Sequence, residues 1–275
     1  MVYNIPSMDK FDLALNDASN KFVMPIFEHR KKEVTEVYMN ILLDLDGSKS
    51  LANASTPEGR FVAEISMGAF GVFDFYDALC EAVIYLRRFP FRGTRVSKSR
   101  YLAYTLQNYL NNVYILQLRI KAYLNLLQDY YAKGDLQKDV KRIIQPLFHF
   151  NSQMFKEIVD IRGTHVHVET LNDDQVKRLG WLESQMERAD TKSESYAYWE
   201  SYVDGQYQLI RREKIEFVKS INGIAKIALE HIFSRIYTVV FDEGNQLRFP
   251  LDYENTTVAI RSKRLAGELK KAEKR

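Results

Sequence analysis

Between Leu102 and Tyr131 an apolar or aromatic residue returns every three or four positions: Leu102, Leu106, Tyr109, Leu110, Val113, Leu116, Ile120, Leu124, Leu127 and Tyr131. A run of that rhythm fits a helix, because 3.6 residues per turn place all of these side chains on one face. A strand has a period of two and would scatter them over both faces. The stripe must be covered by other apolar faces, and the chain supplies them. Val34, Val37, Tyr38, Ile41, Leu42 and Leu45 keep the same spacing, as do Ile215, Val218, Ile221, Ala225, Leu229, Ile232, Ile236 and Val240. Thr56-Pro57-Glu58 offers a cap, a proline at the first helical position and an early acid, so a helix is expected from about Glu58 to Arg87.

Further helices are expected through Val140, Ile143, Ile144 and Leu147, disturbed by Pro146 and resuming to Ile161, then after Asn172 and Asp173, and from about Tyr198 to Val240. Residues 187–195 read as a polar linker. No stretch alternates in the manner of paired strands. The reading is an all-α fold: an antiparallel helical bundle with an N-terminal helical extension and a short irregular C-terminal segment. Residues 1–96 are expected to hold N-terminal helices packed on a helical core at 97–240, with 241–275 forming the irregular segment and a basic tail.

With 46% hydrophobic and 27% charged residues, the chain has the balance of a soluble globular protein rather than a disordered one. No apolar run is long enough to cross a bilayer, so no membrane partner is expected. The first twenty residues lack a charged n-region and an apolar h-region, and the one cysteine, Cys80, lies in an apolar helical run. Both observations set the expectation of a cytoplasmic protein with an inert buried thiol.

Charge is unevenly spread. Residues 261–275 carry seven basic and two acidic side chains, so the preceding 260 residues are slightly acidic within a total of +3. A second basic cluster holds Arg87, Arg88, Arg92, Arg95, Lys98 and Arg100 without an acid, interleaved with Phe89, Pro90 and Phe91. Cations and aromatic faces together suit single-stranded RNA, which offers phosphates and unstacked bases. The structural reading of the same residues is a solvated turn with its phenylalanines packed inward.

Familiar catalytic signatures are missing. There is no Gly-rich phosphate loop and no Glu-x-x-His pair for a di-metal bundle, so no cofactor is expected. The densest chemical stretch is Ile161-Arg162-Gly163-Thr164-His165-Val166-His167-Val168-Glu169. An imidazole can move a proton near neutral pH, and a guanidinium can neutralise charge on a phosphoryl oxygen. In an extended segment His165, His167 and Glu169 would share one side, which leaves a zinc- or iron-dependent hydrolase as a further reading. A second arginine–histidine spacing, Arg142 to His149, spans Pro146 on an apolar helix face, where His149 is expected to be a packed core residue.

Arg162, four intervening residues and His167, with Val166 before the histidine and long amphipathic helices on either side, resemble the HEPN superfamily across residues 97–240. Gly163 stands where that family commonly has Asn, Asp or His. The resemblance implies a metal-independent endoribonuclease acting as a homodimer. His167 would be the base, Arg162 the stabiliser of charge on phosphorus, His165 a stand-in base and Glu169 an orienting group. RNA would be the substrate, and a cognate regulatory protein a further partner. A non-catalytic helical interaction protein on the same scaffold is the alternative.

Overall fold

The computed structural model describes residues 5–25, 56–90, 96–133, 136–160, 173–190, 193–260 and 262. These are all-α. They form α1 (Pro6–Phe22), α2 (Pro57–Arg87), α3 (Lys98–Tyr131), α4 (Gln137–Met154), α5 (Asp174–Arg188) and α6 (Glu194–Val240). Shorter helical runs cover 156–160 and 253–260. Among the described residues the only β pairing is an isolated bridge between Phe241 and Leu247. None of their helices is long and apolar enough to cross a membrane.

Three of these helices, α2, α5 and α6, start where short polar side chains satisfy a free N–H group. The Gly59 N–H donates to Thr56 Oγ1 at 3.1 Å, and the Val176 N–H to Asp173 Oδ1 at 3.1 Å. The Tyr196 N–H donates to Ser193 Oγ at 3.1 Å. The sequence reading missed α1. Its buried residues Phe11, Ala14, Leu15 and Ala18 do keep helical spacing, but Asp12, Asn16 and Asp17 lie between them.

The chain groups into two compact units, each assembled from distant segments. The first contains 1–71, 121–150 and 229–275. At its centre the Phe11 ring meets Phe233 and Phe241 edge-on at 5.1 Å, with Tyr123 and Tyr237 at 6.3 and 6.2 Å. Edge-to-face pairs of this kind add roughly 0.5–1.5 kcal/mol each beyond burial. The amide and hydroxyl of Ser7 at the start of α1 donate to Glu230 Oε2 at 3.0 and 2.9 Å. Gly68 lets α2 approach Tyr123, since a Cβ there would stand 2.6 Å from the tyrosine ring. The run 253–260 is rich in polar and β-branched residues of low helix propensity. It is held by tertiary bonds instead, from Tyr253 Oη to Glu58 at 3.0 Å and between Tyr130 Oη and Thr257 Oγ1 at 2.9 Å.

The second unit contains 72–120 and 151–228. Buried Tyr109 donates to Asn222 Oδ1 at 2.8 Å, and the Asn222 amide donates to the Leu79 carbonyl at 3.2 Å, tying α2, α3 and α6 together. Cys80 is buried beside this network, and its surroundings push the thiol up to about 11.

Candidate functional site

The basic turn lies in the second unit, where the end of α2 and the start of α3 line one side of a cleft of about 810 Å³. The other side comes from α5 and α6. On α6 Glu200, Val203, Asp204, Tyr207, Gln208 and Arg211 recur at three- and four-residue steps and form one stripe. On α5 Glu183, Met186 and Glu187 do the same.

Distant side chains hold both ends of the turn. The carboxylate of Glu183, buried in α5, accepts from the Lys98 amide at 2.6 Å, the Ser99 amide at 3.2 Å and Ser99 Oγ at 2.5 Å. It therefore caps α3 from another helix, at the terminus whose free N–H groups favour negative charge. Arg211 donates to the Arg87 carbonyl at 3.0 Å and so satisfies the end of α2. Phe89 packs edge-on against Tyr101 at 5.6 Å and Tyr207 at 6.1 Å, so this phenylalanine faces inward.

The charges of the cleft are matched. Arg87, Arg88, Lys98 and Arg211 face Glu183, Glu187, Glu200 and Asp204. Lys98 is ion-paired with Asp204, and its ammonium also lies 5.6 Å from the Tyr207 ring centroid. Arg87 and Arg88 are exposed. Burial pushes the Tyr207 hydroxyl up, and the adjacent Arg211 guanidinium draws it back down. Tyr207 Oη and Arg211 Nε are both buried, and the two side chains interact with each other.

Of the expected RNA contacts, Arg87, Arg88 and Lys98 share this cleft. Arg100 is exposed and is not among its lining residues; its amide donates to Ser97 Oγ at 3.3 Å. Arg92 and Arg95 lie outside the described residues. So do Arg162, His165, His167 and Glu169, in the segment between Asp160 and Asp173. At the far end of that segment Asp173 caps α5 and pairs with Lys214 at 2.6 Å. Among the described residues no group of histidine, cysteine and carboxylate side chains could hold a metal ion.

His149 is exposed, which corrects the expectation of a core histidine. The buried face of α4 belongs to Val140, Ile144, Leu147 and Asn151. A residue two positions beyond Leu147 sits about 200° around the helix and faces away. Sequence reasoning also missed Glu183 and Arg211. The apolar spacing in α5 selects Trp181, yet Trp181 is 58% exposed while Glu183 is 6% exposed. The one local hint at Glu183 is a carboxylate one residue after Leu182, beside the apolar stripe.

The chain matches no protein-family model, no curated protein and no solved structure at a significant level.

Proposed function

We propose that the chain is a HEPN-like, metal-independent RNA endonuclease that works as a cytoplasmic homodimer. The observation that carries the reading is Arg162-Gly-Thr-His-Val-His167 in a chain whose described residues are all-α. In this reading His167 takes the proton of a ribose 2′-hydroxyl as that oxygen attacks phosphorus. Arg162 offsets the charge that gathers on the phosphoryl oxygens. The 5′ oxygen departs as a hydroxyl, taking a proton from solvent, and a 2′,3′-cyclic phosphate remains, with His165 as the stand-in base. Glu169 orients one of the imidazoles. Arg87 and Arg88, exposed and lining the cleft, are free to meet RNA phosphates in this reading. Tyr198, Leu209 and Ile227, large and exposed on α6, support a surface that a second copy covers.

The matched charges of the cleft and Gly163 favour one other reading, a non-catalytic helical protein that binds a cognate regulatory protein. Cleavage of a panel of single-stranded RNAs separates the two. The nuclease reading expects cleavage that survives EDTA and is abolished by Arg162→Ala and by His167→Ala, with helicity unchanged. An inert wild-type protein supports the interaction reading. Cleavage lost in EDTA and restored by zinc points instead to His165, His167 and Glu169 as metal ligands.

A further inference from the structure

Within the basic turn predicted from sequence Lys98 is paired with Asp204, and the structure assembles a second cationic site that no sequence window contains. In the first unit a cavity of about 560 Å³ is lined by Arg142, Ile143, Pro146 and Leu147 of α4 and by His231, Arg235 and Thr238 of α6. No carboxylate is among these residues. His231, Arg235 and Thr238 follow i, i+4, i+7 spacing and lie along one face of α6. Arg142 and Pro146 occupy successive turns of α4, and Ile143 and Leu147 give the cavity an apolar floor. The His231 ring packs against Phe150 with centroids 4.4 Å apart, which fixes the imidazole at the wall. Arg235 is exposed and makes no ion pair among the described residues. Among the described residues Arg142 is ion-paired only with Asp139 of its own helix, at 2.9 Å, with its side chain 76% exposed.

We propose that this cavity is a phosphate-binding site that anchors the backbone of single-stranded RNA; the choice of RNA rests on the nuclease reading. Arg142 and Arg235 reach the same cavity from different helices, and a guanidinium fork matches a phosphate group, which accepts two parallel N–H bonds from it. His231 lines the same cavity, and its ring N–H adds a donor. The size suits one nucleotide unit rather than a duplex. The two arginines are 93 positions apart in the chain, so only the packing of α4 on α6 creates the site.

The test uses the full-length protein and two probes. One is inorganic phosphate, followed by titration calorimetry. The other is a fluorescent 2′-O-methyl oligoribonucleotide, which cannot be cleaved by the proposed chemistry, followed by anisotropy. Arg142→Ala with Arg235→Ala should weaken both ligands about ten-fold or more. The salt dependence of oligonucleotide binding should fall by about 0.7 in log–log slope, the contribution of one phosphate on a single strand. Arg235→Lys should recover only part of the loss, since a lysine keeps the charge without the fork. Asp139→Asn, which frees Arg142, should tighten both. Lys219→Ala, at an exposed lysine paired with Glu216, should change neither.

Unaltered phosphate binding in the double variant, or an equal loss in Lys219→Ala, overturns the site. Phosphate binding lost while oligonucleotide affinity is kept overturns the RNA anchor and leaves a pocket for a free phosphate compound. A wild type that ignores the oligonucleotide but binds phosphate through Arg235 overturns the RNA reading of the whole protein, and leaves the anion pocket standing.

Discussion

Glu183 and Ser99, 84 residues apart, meet at 2.5 Å between carboxylate and hydroxyl, and α3 starts there. Glu183→Ala removes the acceptor for two backbone N–H groups and one hydroxyl inside a buried site. Hydrogen bonds to a charged group contribute roughly 1.5–3 kcal/mol, so unfolding free energy should fall by about 2 kcal/mol or more. Glu183→Gln keeps an acceptor oxygen and should lose about half as much. Urea titration followed by circular dichroism measures both, and equal stability of all three proteins would show that Ser97 alone caps the helix.

Glycines in helices should divide by their surroundings. At Gly68 a methyl group would sit 2.6 Å from Tyr123 Cδ2, within a core that leaves the ring little room to move. Gly68→Ala should therefore cost about 1–3 kcal/mol. Gly205 and Gly223 lie in α6, where an added methyl group would meet nothing within 4 Å. Gly205→Ala and Gly223→Ala should each raise stability by up to about 1 kcal/mol, through helix propensity and a less flexible unfolded chain. Melting temperatures of the three variants check the opposite signs.

Acid should loosen the contact between α2 and the 253–260 run. Glu58 is held below the usual carboxylate range, first by its own backbone N–H and then by the Tyr253 hydroxyl. Asp252 is lowered by its bonds from Lys133 and Asn255. Carboxyls with lowered values bind protons less readily in the folded state. Their contribution is present above the ordinary carboxylate range and is lost as pH falls through the folded values. Asp12 and Asp77, raised by burial, act in the opposite sense and soften the net loss. Tyr253→Phe deletes the bond to Glu58, so the stability gap between variant and wild type should shrink from about pH 6 to about pH 3. A gap that widens over that range would contradict the assignment.

Cys80 should be silent until the protein unfolds. Its thiol is buried and raised to about 11, which leaves almost no thiolate near neutral pH. A thiol-reactive disulfide reagent at about pH 8, where an ordinary free cysteine of pKa about 8.5 reacts readily, should label the native chain slowly and the urea-unfolded chain at once. Fast labelling of the native chain would place the thiol at the surface.

The elements legible in the sequence are those that near neighbours set. Helix α3 follows from thirty residues of apolar spacing, α2 from Thr56 and Pro57, and α5 from Asp173, because helical bonds and caps join residues three or four apart. The arginine–histidine spacing at Arg162 and His167 is equally local, and so it was readable as a motif. Which charges remain available was settled by packing. Lys98 is taken by Asp204, Glu183 is turned inward to cap α3, and His149 faces outward because Val140, Ile144, Leu147 and Asn151 claim the buried side of α4. Packing also brought Arg142 beside His231 and Arg235, making a cationic pocket from residues that look ordinary in their own windows. Periodicity tells which face of a helix is apolar, but the partner of each polar side chain depends on contacts between segments far apart in the chain.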